Sequence, residues 1–201
     1  MPKLPYSFYQ QEDVISLAKQ LLGKKLFTLI NGELTGGIIV ETEAYNGIID
    51  KASHAYNGRF TPRTSTMYKT GGISYVYLCY GIHHLFNVVT GVEGSPHAVL
   101  IRGLEPTDGL STMFKRRNMQ SLAPKITAGP GALAKALGID KNLNAKDLLG
   151  DEVWIEDVKT KYRNTQIIAS PRVGVAYAQD NALLPWRFYI KGSQFVSKPN
   201  S

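Results

Sequence analysis

Cysteine is nearly missing from this chain: Cys79 is the only one in 201 residues. That excludes an internal disulfide and any cysteine-based metal cluster. Cys79 lies in an apolar run, where a buried, inert thiol is the expected state. Negative charge is also short, with 16 Asp and Glu against 23 Lys and Arg and a formal net charge of +7. A basic surface favours an anionic partner, nucleic acid foremost. No apolar run reaches the length of a membrane span, and Met1-Pro2-Lys3 is not followed by a signal core, so a cytoplasmic location off the membrane is expected. Only 4 histidines occur, and none forms a His-x-x-x-His pair. His83 and His84 are adjacent, so on a strand they face opposite ways and cannot chelate one ion. No metal site and no cofactor is expected. No repeat or low-complexity linker interrupts the chain, and its length suits a single domain over residues 1–201.

What is present is patterned apolar sequence. "YQQEDVISLAKQLLGKKL" carries Val14, Leu17, Ala18, Leu21 and Leu22 at helical spacing and reaches Gly23, an expected C-cap. "KKLFTLI" and "TGGIIVETEAY" flank Asn31-Gly32, which predicts a hairpin. Residues 46–72 are polar and rich in glycine, proline and threonine. They predict a long loop with little regular structure, and such loops usually carry function. "SPHAVLIRGLEP", "EVWIEDV" and "WRFYIKG" read as strands, and "TDGLSTMFKRRN" and "GPGALAKALGI" as helices. The expected class is α+β: a curved, largely antiparallel sheet with flanking helices and a protruding β-hairpin.

That hairpin is "SYVYLCYGIHHLFNVVTG", residues 74–91. Its break, Tyr80-Gly81-Ile82-His83, puts apolar and aromatic residues where polar turn residues are the norm. Tyr75 and Tyr77 share one strand face and suit either a core or a base-stacking platform, with Arg59, Arg63, Lys69 and Arg102 nearby in sequence. In "IIVETEAY", strict alternation puts Ile39, Glu41, Glu43 and Tyr45 on one face and Ile38, Val40, Thr42 and Ala44 on the other. The first face is either a solvated strand surface or a cleft wall with a carboxylate beside an aromatic platform. Burial would raise that carboxylate's pKa and suit it to general acid–base work. The two glutamates lie about 6–7 Å apart along the strand. Neighbours on one strand do not easily flank a sugar from both sides, so one catalytic carboxylate is expected. His54 is a pocket contact or a plain loop residue. The Lys115-Arg116-Arg117 run suits phosphates or a solvated helix face, and the start of "GPGALAKALGI" offers backbone donors to a phosphate or a packing turn.

"VETEAY", His54, "GRFTPR", "YVYLCYG", Asn87, "AVLIRGLEP", "GPGALAKALGI" and "RVGV" occur in this order. Together, from about Leu4 to Val196, they resemble the alkyladenine DNA glycosylases, also called 3-methyladenine DNA glycosylases of the alkylpurine type. The resemblance implies a single-domain, metal-free, monofunctional glycosylase that starts base excision repair. Such an enzyme flips a damaged purine out of duplex DNA and hydrolyses its N-glycosidic bond without a lyase step. It implies Glu43 as the base that activates water, with Arg102 and the backbone of Val173 as further water contacts. Tyr45, His54 and Tyr77 become the walls of the base pocket, and Asn87 the guard against the amino group of normal guanine. Tyr80 becomes the wedge that fills the gap left by the flipped nucleotide, with Ile82 and His83 beside it in the groove. Arg59, Arg63 and Lys69 become contacts to the DNA backbone. The exposed apolar tip then has a reason, since an inserted side chain replaces lost base stacking. The implied partner is double-stranded DNA carrying a damaged purine, met by a monomer, nucleoid-associated if the source is bacterial.

Two other readings fit the residues. One is a non-catalytic module that kinks DNA with the Tyr80 wedge. The other is a hydrolase of soluble nucleosides or glycosides that uses Glu41 and Glu43.

Overall fold

Asn31 and Gly32 adopt positive φ, 54° and 77°, so the chain reverses in a two-residue turn. The turn joins β1 (Lys25–Ile30) to β2 (Glu33–Tyr45), paired in register from Lys25 with Ile38 to Ile30 with Glu33. The computed structural model describes residues 1–160 and 162–197, so the ends of the expected 1–201 span are only partly within the described residues. β2 is the axis of the sheet. Its first half pairs with β1 and its second half, at Glu41–Glu43, with β8 (Arg187–Ile190). Along its other edge runs β5 (His97–Asp108). β4 (His83–Thr90) and β3 (Ser74–Cys79) extend the sheet beyond β5; β6 (Val153–Glu156) lies beyond β1, and β7 (Ile167–Ser170) pairs with β8. Every pairing is antiparallel. The expected α+β class with an antiparallel sheet is the observed one.

Among the described residues four α-helices accompany the sheet: α1 (Tyr6–Tyr9), α2 (Val14–Gln20), α3 (Leu110–Arg117) and α4 (Pro130–Leu137). Asp13 caps α2 by accepting from the Ser16 N–H at 2.9 Å. The helix stops at Gln20 with Leu21 as its cap, earlier than expected; Gly23, at φ 83°, serves the turn into β1 instead. The main core joins Val14, Leu17, Ala18 and Leu21 of α2 to Leu26, Ile39, Val40 and Ala44 of the sheet and to Leu133, Ala134 and Leu137 of α4. α4 also braces the hairpin of β3 and β4: a Cβ on Gly131 would stand 2.7 Å from the His83 ring, so only glycine fits there.

Residues 46–72 hold more structure than the expected loop. Three 3-10 turns, at Gly47–Ile49, Tyr56–Gly58 and Ser65–Tyr68, fold the segment back on itself. Short polar side chains supply the missing partners: Asp50 accepts from the N–H groups of Asn46 and Ala52, and the Thr64 hydroxyl from that of Thr61. The segment buries Ala55 and Met67 against Tyr75, Val89 and Ala98, and Ala52 against Val175 and Ala178. It thus covers one face of the sheet above the second half of β2. No helix among the described residues is long and apolar enough to cross a membrane.

Candidate active site

Strict alternation along β2 fails where the site is built. Ile39 faces Leu104 and Glu41 faces Gly103, so Val40 has no opposite residue on β5; Thr42 faces Ile101, so Arg102 has none on β2. Each is a bulge, which bends a strand and re-aims its side chains. Ile39 and Val40 both enter the core, where alternation put Ile39 with the glutamates. Glu41 and Glu43 are both wholly buried, which overturns the solvated-face reading of the strand.

The two carboxylates differ in what surrounds them. Glu41 is saturated. It accepts from Arg102 Nε at 3.0 Å, Arg187 Nε at 2.6 Å, the Ser197 hydroxyl at 2.7 Å and the Ser197 N–H at 2.6 Å. Glu43 accepts from the Val173 N–H at 2.7 Å and the Tyr45 hydroxyl at 2.9 Å, with Arg102 Nη1 at 3.4 Å. All three neighbours are donors or cations, which only an acceptor satisfies. Burial first, and then the Glu43 charge, hold the Tyr45 hydroxyl far above its ordinary pKa, so it remains a donor. Val173, expected as a water contact, spends its N–H on Glu43.

Next to Val173, Arg172 is fully buried with Asp50, to which its Nη2 donates at 2.9 Å. Its guanidinium lies 4.9 Å from the Tyr45 ring centre and 5.1 Å from that of Trp186, and it donates to the Ala44 carbonyl at 2.9 Å. One arginine therefore fixes the Tyr45 ring and the strand segment that meets Glu43.

Tyr45, His54, Tyr77 and Asn87 all line one recess of ≈ 40 Å³, shared with Tyr75 and Tyr177. His54 Nδ1 lies 2.9 Å from the Tyr75 hydroxyl, and the His54 ring meets Tyr77 edge-on at 4.6 Å. Burial, followed by the charges of Arg63 and Arg59, lowers the His54 pKa to about 4, so the ring is neutral near pH 7. Asn87, almost fully buried, donates to the Tyr75 carbonyl at 3.1 Å. The recess opens into a cleft of ≈ 740 Å³ whose wall includes Arg102, Val173, Tyr80, His83, Arg117 and the first turn of α4. Glu43 sits directly behind Arg102, Val173 and Tyr45 of that wall.

Tyr80 stands at the hairpin tip, 88% exposed, with Ile82 at 73%. Its φ of 50° is left-handed, a conformation that costs a non-glycine residue about 1–2 kcal/mol. Gly81, at φ 71°, completes the reversal. Arg59 and Lys69 are exposed and lie outside the cleft wall. Arg63 is in that wall, its guanidinium 4.7 Å from the Tyr77 ring centre. Of the Lys115–Arg117 run, Arg116 serves the fold by donating to the Thr35 hydroxyl and the Ala136 carbonyl, whereas Arg117 reaches the cleft. Among the described residues no three His, Cys, Asp or Glu side chains group as ligands of a metal.

The family model for methylpurine-DNA glycosylases matches residues 7–194. The chain belongs to the methylpurine-DNA glycosylase family. The enzyme class expected from the sequence, a DNA glycosylase, is the class of that family. Among its relatives, a protein of Chlamydia felis is 48% identical over 189 residues, 93% of this chain and 95% of its own length. One of Desulfitobacterium hafniense is 44% identical over 204 residues, 98% of this chain and 99% of its own, and one of Bacillus cereus is 45% identical over 202 residues, covering 96% and 98%. All three carry the name "Putative 3-methyladenine DNA glycosylase".

Sequence reasoning missed three groups of residues around the two glutamates and the recess. Arg187 and Ser197 are far from Glu41 in sequence and meet it only through β8 and the chain beyond it. Arg172 and Asp50 carry no local signal beyond the "RVGV" motif. Tyr177, whose hydroxyl donates to the Ala52 carbonyl at 3.2 Å, lies in a 3-10 segment that periodicity does not reveal.

Proposed function

We propose that this protein removes alkylated or deaminated purines of the 3-methyladenine, 7-methylguanine and hypoxanthine class from duplex DNA, using water activated by Glu43. One observation carries the reading: Glu43 is a buried carboxylate held by three donors directly behind Tyr45, Arg102 and Val173, which line a cleft that opens beside an exposed aromatic wedge, Tyr45 also lining the aromatic recess. Tyr80 enters the stack as the target base leaves it, and the base turns into the recess between Tyr45 and the Tyr77–His54 wall. Ring alkylation makes the purine cationic, and aromatic faces attract a cation by about 0.5–2 kcal/mol. When the C1′–N bond breaks, its electron pair goes to the base, which departs neutral and needs no proton donor. Positive charge grows on the sugar, where the Glu43 carboxylate opposes it. Glu43 takes a proton from the water whose hydroxyl joins C1′, with Arg102 and the Val173 carbonyl orienting that water. Hypoxanthine is neutral, departs as an anion unless protonated, and therefore leaves more slowly. Asn87, fixed at the end of the recess, excludes the amino group of normal guanine. Exposed Arg59 and Lys69 meet phosphates, a contribution that weakens with salt. The protein acts as a monomer in a cytoplasmic setting, nucleoid-associated if its source is bacterial, and among the described residues no lysine lines the recess to form a Schiff base.

The test is release of free methylated base from methylated duplex DNA in EDTA, alongside hydrolysis of a free methylated nucleoside. Release from the duplex that far exceeds nucleoside hydrolysis supports the reading. Efficient nucleoside hydrolysis that Tyr80→Ala leaves untouched contradicts it in favour of a small-molecule hydrolase. Tight lesion binding without release leaves only a DNA-kinking module.

A further inference from the structure

We propose that Arg63 is a resident cation: in the free protein its guanidinium occupies the face of Tyr77 that receives the flipped base, and the base has to displace it. The inference rests on the reading of the recess as a base pocket. Arg63 lies in the turn after Thr61-Pro62, exposed at its outer side and facing the cleft on its inner one. Its Cζ is 4.7 Å from the Tyr77 ring centre, and its Nη2 is 3.4 Å from His54 Nε2, at the long limit of a hydrogen bond. No carboxylate among the described residues pairs with it; the Tyr77 face, the Tyr75 hydroxyl and His54 are its partners.

Arg63 lines the cleft from which a base enters the recess, beside Tyr45, His54 and Tyr77, and is not part of the lining of the recess itself. At ≈ 40 Å³ the recess holds little more than one water, so no purine enters while every wall stays in place. Several walls of the recess are pinned, although Tyr177 is 66% exposed. Tyr45 is held by Glu43 and Arg172, Tyr75 is 2% exposed, and Asn87 is 4% exposed and bonded to the Tyr75 carbonyl. Arg63 is exposed and held only by the Tyr77 ring, the Tyr75 hydroxyl and one marginal contact to His54, so at the mouth of the recess it can move at low cost. An alkylated purine restores the cation on Tyr77 that Arg63 vacates. An undamaged, neutral base displaces the same cation and restores nothing, so the resident arginine raises the threshold for every flipped base and only a cationic one recovers it.

A role at the DNA backbone, expected from the sequence, predicts the opposite sign on removal. The decisive probe therefore carries no phosphate: 7-methylguanosine, a purine nucleoside cation, titrated into Glu43→Gln protein so that it is not consumed, with and without Arg63→Gln. The expected result is a dissociation constant about 2- to 30-fold lower without the arginine. In the protein that keeps Arg63, its Nε–H resonance should show a ring-current shift that disappears as the nucleoside is added. Unchanged or weaker binding in Arg63→Gln, or an unshifted resonance, overturns the inference. Binding by neither protein overturns it as well, and base release from methylated duplex by the wild type then decides separately whether the pocket reading falls with it.

Discussion

The hairpin tip and the floor of the cleft break the same rule in opposite directions. At the tip, Tyr80 and Ile82 stand in water, and a tyrosine accepts a left-handed backbone. On the floor, Glu41, Glu43, Arg102 and Arg187 are withdrawn from water. The tip gains nothing from folding, since it buries no apolar area. The floor carries a desolvation cost that three ion contacts and the Ser197 hydrogen bonds offset. A structure that tolerates both does so for chemistry, because neither arrangement improves stability.

The comparison breaks first on the floor. Glu41→Gln leaves Arg102 and Arg187 without their shared charge, and removing one partner of a buried ion cluster costs about 3–5 kcal/mol. Urea denaturation should read that loss, while Tyr80→Ala should stay within about 0.5 kcal/mol of wild type in the same experiment. Activity reverses the order of sensitivity at the tip. Tyr80→Ala removes a stacking wedge worth about 1–3 kcal/mol. Base release from duplex should therefore fall about 5- to 150-fold under single-turnover conditions, with hydrolysis of a free nucleoside unaffected. A third variant sharpens the contrast. Tyr80→Gly relieves the positive φ and should raise stability by about 1 kcal/mol, even as it removes the same wedge. A tip that is both more stable and less active would separate its function from its folding.

A further effect, dependent on pH, belongs to His54, between the two regions. Its folded pKa of about 4 lies below its ordinary value of 6.5, so the unfolded chain takes up the proton first as pH falls. His54 therefore lowers stability as pH drops from about 6.5 towards 4, with no further change below that and none above 6.5. The stability–pH slope in that window should flatten in His54→Asn. Arg63→Gln should raise the His54 pKa, since the Arg63 charge is one of the causes of its depression.

Much of this was legible from local chemistry. Asn31-Gly32 specified its hairpin, and the apolar spacing of Val14, Leu17, Ala18 and Leu21 its helix. The family motifs named Tyr45, His54, Tyr77 and Asn87, which meet around one recess although they come from a strand, a loop and a hairpin. The rest depended on long-range geometry. Period-2 reasoning could not foresee bulges at Val40 and Arg102, because a bulge is a property of two strands paired together. For the same reason it could not tell Glu41 from Glu43: the two differ only in which distant residues reach them. The loop at 46–72 looked unstructured because its order comes from side-chain caps and from packing on the sheet, neither of which has a period. Arg63 carried charge that suggested phosphate, and only its distance from Tyr77 shows where that charge rests.

The claim that most needs testing is that of two buried glutamates, two residues apart, only Glu43 does chemistry. The measurement is single-turnover release of methylated base from a lesion duplex, with EDTA, by wild type and Glu43→Gln, together with lesion affinity. The expected result is a rate about 10²- to 10⁴-fold lower in Glu43→Gln with the fold and lesion binding intact. Undiminished base release by Glu43→Gln would contradict it and move the catalytic group elsewhere in the cleft.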